Sequence, residues 1–201
     1  MRIIQLTPGS GDNFYCENCL RDLTLVKALM RAGHEVTLVP MYLPVEMDAT
    51  VSAVSSPLFM GGINVYLQQK IPLFRKTPRW LDAWFDNPKL LGYVGKLSGM
   101  TTAKELGKTT LSMLQGEHGK QQKEIARLVD WLSGLEHKPQ VVIISNILLA
   151  GLAPAIKEKL NIPVVCLLQD EEDFLDTLPQ PYCRQSWQLV RENSRAFDLF
   201  I

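Results

Sequence analysis

Short apolar runs that end in turn residues alternate along this chain with apolar stripes at helical spacing, and that alternation constrains the fold more than any other feature. Arg2 to Leu6 is such a run, closed by Thr7-Pro8-Gly9-Ser10-Gly11, and reads as a buried strand feeding a loop. Cys19, Leu23, Val26 and Met30 then recur at spacings of four, three and four, the stripe of an amphipathic helix with Gly33 placed to cap its end. Glu35 to Pro40 reads as a second strand. In Phe59 to Ile71, after Gly61-Gly62, Ile63, Val65 and Leu67 alternate with Asn64, Tyr66 and Gln68, the pattern of a third strand that Pro72 ends. Between Pro78 and Leu135 the character changes. Trp80, Leu81, Trp84 and Phe85, and later Ile125, Leu128, Val129 and Leu132, follow helical spacing with no strand-like run between them. A helical insertion is expected over about 78–137, with Trp80, Trp84 and Trp131 packing within it. Val141 to Ile144 is a continuous apolar run of the kind buried on both faces in a parallel sheet, the fourth strand. A helix over Leu148–Leu160 with Pro154 in its first turns, a fifth strand over Ile162–Leu168, a helix over Arg184–Arg195 and a sixth strand over Phe197–Ile201 complete the pattern.

Strand and helix in alternation argue for an α/β fold: a Rossmann-like open parallel sheet covered by helices on both faces, with right-handed crossovers. The 201 residues form a single domain. Natural domains usually end in exposed, loosely held residues. The apolar finish Phe197-Asp198-Leu199-Phe200-Ile201 therefore carries the expectation that a further domain follows.

Composition excludes several classes. At 46% hydrophobic and 21% charged the chain is neither disordered nor a small disulfide scaffold. Lys+Arg and Asp+Glu both number 21, so no basic excess would draw it to nucleic acid or an anionic membrane. The longest apolar run, Val141 to Ile156, is broken by Ser145, Asn146, Gly151 and Pro154, short of the roughly 18 to 20 residues a spanning helix needs. The start, MRIIQLTPGS, is no signal peptide, and four sparse cysteines suit a reducing compartment, so a soluble cytoplasmic protein is expected.

In open α/β sheets, ligands bind outside the carboxyl ends of the strands where the strand order reverses. With the order 3-2-1-4-5-6 that point falls between the first and fourth strands. It brings the loop Gly9-Ser10-Gly11-Asp12-Asn13, the pair Ser145-Asn146 and the turn Gln169-Asp170 to one concave surface. Gly9 and Gly11 let backbone approach a phosphate or sugar, but Phe14 stands where a dinucleotide fingerprint needs glycine, and a plain strand-to-helix turn explains the same residues. Cys16-Glu17-Asn18-Cys19 opens a helix, where a thiolate can be stabilised; zinc lacks a second ligand pair, and apolar packing or a polar ligand contact accounts for both thiols. Asp170-Glu171-Glu172-Asp173 with Asp176 could face a metal or sugar hydroxyls, or be the solvated acidic first turn of a helix. His34, in a helix-to-strand turn, reads as a surface or capping residue.

Met1 to Pro40, with its strand, Gly-containing loop and helix ending Leu29-Met30-Arg31-Ala32-Gly33-His34-Glu35-Val36-Thr37-Leu38-Val39, resembles the opening of family 4, GT-B type glycosyltransferases. Gly61-Gly62-Ile63-Asn64-Val65-Tyr66-Leu67 followed by Pro72-Leu73-Phe74-Arg75 is similar to the matching stretch of glycogen and starch synthases. Ile162 to Asp170 resembles the family's strand that ends in His-Asp or His-Gly, with Gln169 in place of the His. The resemblance implies a retaining transfer of sugar from a nucleotide-sugar donor. This chain would be the N-terminal half, binding a sugar or glycoside acceptor, and an absent C-terminal domain would bind the donor. It implies no cofactor and no metal. Gln169 and Asp170 become the catalytic candidates, with Gly9, Ser10, Gly11, Asn13, Ser145 and Asn146 as substrate-binding candidates. Gln can hydrogen-bond a sugar hydroxyl but cannot titrate near neutrality. Two other readings stay open: a Rossmann-like small-molecule binding module complete in itself, and a CxxC oxidoreductase.

Overall fold

The computed structural model describes residues 1–9, 17–42, 59 and 102–201. Among these residues five parallel strands form one sheet: β1 (Arg2–Thr7), β2 (Glu35–Pro40), β3 (Val141–Ile144), β4 (Val164–Cys166) and β5 (Leu199–Phe200), in the order β2-β1-β3-β4-β5. The helices are α1 (Glu17–Arg31), α2 (Ala103–Leu114), α3 (Gln122–Gly134), α4 (Ala153–Leu160), α5 (Glu171–Thr177) and α6 (Tyr182–Asn193). The fold is a Rossmann-like open α/β sheet. Its observed order matches the 2-1-4-5-6 part of the expected one, and the reversal lies between β1 and β3. The strand expected over Phe59–Ile71, with Trp80 and Trp84, lies outside the described residues, save Phe59 itself, which is buried and packs on Trp131.

Strand parity sorts side chains into two layers, because successive residues of a strand point to opposite faces. Ile4, Leu6, Val142, Ile144 and Val164 meet Ile125, Leu128, Val129 and Leu132 of α3 and Ala153 and Ile156 of α4. On the other face Ile3, Val36, Leu38, Ile143 and Leu167 meet Val26 of α1. α1 is closed just past its end by Gly33, whose φ of 86° is left-handed and turns the chain into β2. Helices α2 and α6 pack against each other, and residues from both join a smaller cluster of Leu114, Ile147, Ala150 and Cys166 with Leu189 and Val190.

Several boundaries differ from the sequence expectation. β4 begins at Val164, not Ile162, because Pro163 has no N–H to give the ladder. β5 is confined to Leu199–Phe200; it is the edge, paired on one side, and both residues are exposed. The helix expected from Leu148 opens as a 3-10 segment, Ile147–Leu152, and turns α-helical at Ala153, with Pro154 in the first turn. α6 starts two residues early, at Tyr182, after Pro181.

Candidate functional site

The parity that builds the α1-side layer carries on beyond its apolar residues. Ile3, Gln5 and Thr7 of β1 alternate onto that face; Ile143 is followed two residues on by Ser145, and Leu167 by Gln169. Register puts these strand ends level: Leu6 pairs with Ile144 and Ile144 with Cys166, while the Ser145 N–H donates to Leu6 O and the Leu167 N–H to Ile144 O. Three polar strand ends, Thr7, Ser145 and Gln169, therefore converge under α1, and all are buried.

What they meet there is Asp22. On α1 the buried residues are Cys19, Asp22 and Val26, at the three-then-four spacing of a helix face. The Thr7 hydroxyl donates to Asp22 Oδ2 at 2.5 Å and the Ser145 hydroxyl donates to the same oxygen. Gln169 Nε2 donates to Asp22 Oδ1 at 3.4 Å and to Ser145 Oγ at 3.3 Å. Burial pushes the Asp22 carboxyl above its usual range; the Ser145 and Thr7 hydrogen bonds, the Arg21 charge and the nearby Gln5 side chain pull it back toward the charged form. Gln169 Oε1 and both amide atoms of Gln5 are buried without a hydrogen-bond partner among the described residues.

A second buried carboxylate ties the same strand ends from outside the sheet. Glu171 takes the backbone N–H of Ile147 on one oxygen, at 3.0 Å, and that of Gln169 on the other, at 2.7 Å. The loop after β4 is also held to α1 by Arg21, whose guanidinium donates to Leu168 O at 2.9 Å. Burial, with the Glu171 charge adding to it, pushes the Cys166 thiol up to about 12, so Cys166 is packing rather than a nucleophile.

Of the residues expected at the site, Ser145, Asn146, Gln169, Asp170 and Gly9 lie at this carboxyl edge. Gly9 has a φ of 78°, a conformation that favours glycine. The Asn146 side chain accepts the Leu148 N–H at 2.8 Å and caps the 3-10 segment. Asp170 is exposed, with a φ of 59°, immediately before α5. Ser10, Gly11 and Asn13, with Asp12 and Cys16, lie outside the described residues. The acidic run divides: Glu171 is buried scaffold, while Glu172, Asp173 and Asp176 are exposed, Asp176 accepting the Trp187 indole N–H at 2.7 Å. Among the described residues no group of three or more His, Cys, Asp or Glu could hold a metal ion, and no helix is long and apolar enough to cross a membrane.

Sequence reasoning passed over Asp22 and Thr7, and took Glu171 only as one of an acidic run facing a ligand or solvent. The sequence held part of the signal, a polar residue at core parity where a strand ends and an acid one turn into the helix that follows; the register of the strands supplies the rest. A groove of about 200 Å³, lined by Arg2, Glu35, Trp131 and His137, lies at the opposite edge, where β1 and β2 begin. In parallel sheets of this kind, helix N-termini and spare backbone donors gather at the carboxyl edge instead.

No family model matches the chain, and no curated protein matches it. Among solved structures it is similar to the crystal structure of TcCGT1 in complex with UDP, with 16% identity and a TM-score of 0.39 over 87% of this chain. The chain spans 29% of the length of that one.

Proposed function

We propose that the chain is the acceptor-side half of a retaining glycosyltransferase, working in the cytoplasm. A C-terminal domain would hold the nucleotide-sugar donor, and this domain would hold the sugar or glycoside that receives the transferred sugar. The observation that carries the reading is the convergence of Thr7, Ser145 and Gln169 at the point where the strand order reverses, beside Gly9 and Asn146. The sugar chemistry rests on the family resemblance of the opening β-α-β unit and of the strand ending in Gln169-Asp170.

Within this reading the residues divide their work. Gly9, Ser10, Gly11 and Asn13 let backbone and a short amide come close to hydroxyls or phosphate. Asn146 and Ser145 set the end of β3, both with side chains already bonded within the protein. Gln169 binds sugar by neutral hydrogen bonds. Asp170, exposed beside it, accepts an acceptor hydroxyl or takes its proton.

The test is transfer by the natural full-length polypeptide from a panel of UDP-, ADP- and GDP-sugars to simple glycosides. Gln169→Ala should lower kcat/KM by about 1–3 kcal/mol, the cost of an unpaired polar partner, and Gln169→His should restore part of it. Asp170→Asn should slow transfer while leaving nucleotide binding unchanged. Wild-type kinetics for both Gln169→Ala and Asp170→Asn at subsaturating acceptor would move the site elsewhere.

A further inference from the structure

A primary amide carries two N–H donors and one carbonyl oxygen. Both donors of Gln169 are spoken for: Nε2 gives one to Asp22 Oδ1 at 3.4 Å and one to Ser145 Oγ at 3.3 Å. The carbonyl end is not, since Oε1 is buried with no hydrogen-bond partner among the described residues and Gln169 is only 8% exposed. Which end of an amide faces which way is fixed by its neighbours, and a carboxylate offers only lone pairs, so the end against Asp22 is the nitrogen. Ser145 cannot reverse this, because its own proton is committed to Asp22 Oδ2 and its oxygen is left to accept. Thr7 adds a second hydroxyl donor to that oxygen at 2.5 Å and fixes the carboxylate in turn.

We propose that Asp22 and Ser145 are positioning residues that set the polarity of Gln169, leaving its carbonyl oxygen as the group it offers a ligand, so that this position selects a hydroxyl donor and rejects a pure acceptor. The inference rests on the sugar-acceptor reading for the identity of the hydroxyl, and on the hydrogen-bond pattern alone for the polarity. A buried acceptor left unpaired is costly, so a ligand hydroxyl that meets it is favoured about five- to tenfold over an analogue lacking the proton. Asp22→Asn supplies an N–H where a lone pair stood. It should turn the Gln169 amide over and invert the preference.

Two readouts on the 201-residue chain separate the polarity from the sugar. The first is the Gln169 side-chain NH2 resonance in the free protein. Protected exchange in wild type, lost in Asp22→Asn, supports the proposal; exchange at the rate of an exposed glutamine overturns it. The second is NMR titration with methyl α-D-glucopyranoside and its monodeoxy and deoxyfluoro analogues, fluorine being unable to donate. The proposal expects one ring position at which both the deoxy and the deoxyfluoro analogues bind about five- to tenfold more weakly than the parent, with the deoxyfluoro analogue recovering in Asp22→Asn. A deoxyfluoro analogue that binds wild type like the parent at every position where the deoxy analogue fails, or a pattern that Asp22→Asn leaves untouched, overturns it. If no glucoside binds, the sugar reading fails and the amide resonance alone decides the polarity.

Discussion

Asp22 is fully buried, yet two hydroxyls and an amide nitrogen point at its carboxylate. Its folded pKa lies above the ordinary aspartate value of 3.8, chiefly through burial, so the folded state holds the proton more tightly than the unfolded chain does. The contribution to stability is therefore full below 3.8 and declines as pH rises through the raised value. Asp22→Asn does not titrate, and urea unfolding at several pH values should show the variant gaining on wild type from pH 4 upward. A variant that loses ground over that range would mean that the donors outweigh the burial. Asp22 escaped sequence reading because an acid on a helix registers as polar face. Only the coincidence with Thr7, Ser145 and Gln169 at core parity marks it as interior, and that coincidence needs the register of three strands. The place of Gln169 and Asp170 at a strand end was legible because they follow an apolar run directly; Glu171, their neighbour, was hidden within a run of acids that mostly face water.

At the scale of elements, β2 and β3 were legible to the residue, since each is an apolar run bounded by breakers. The ends of β4 and β5 were not, because Pro163 and an exposed edge shorten ladders in ways that hydrophobicity does not record. Contacts between helices were hidden as well. A Cβ on Gly151, in the 3-10 segment, would lie 2.2 Å from Met113 O and 2.8 Å from Gly116 N, backbone atoms that cannot swing aside. Gly151→Ala should cost about 1–3 kcal/mol in chemical unfolding, and a neutral result would show that α2 and this segment separate freely. The edge strand is clamped by Asp198, which accepts from Lys157 Nζ at 2.6 and 2.7 Å and from the Val164 N–H at 2.8 Å. These bonds, the Lys157 one foremost, hold the Asp198 carboxyl below the ordinary aspartate value of 3.8. A depressed pKa contributes stability present above 3.8 and lost as pH falls through the folded value. Because the pair is exposed to water, the effect belongs to the edge rather than to global stability. Asp198→Asn should speed hydrogen exchange at the Asp198 and Ile201 amides, which bond Val164 O and Cys166 O, while leaving β1 and β3 protected.

For the whole molecule, one sheet edge carries the polar strand ends and the other carries a groove of different make. The parallel topology creates this asymmetry, since every strand delivers its carboxyl end to the same side. Positioning both reactants is a large part of catalysis, so on the proposed reading this chain alone should bind an acceptor and turn nothing over. The most direct measurement is a 15N chemical-shift titration of the 201-residue chain with simple glycosides, methyl α-D-glucopyranoside first. The account predicts saturable shifts at Gly9, Asn146, Gln169 and Asp170, with Arg2, Glu35 and His137 at the opposite edge unmoved. Shifts gathered at the Arg2, Glu35 and His137 groove, or a flat response across the carboxyl edge, would contradict it.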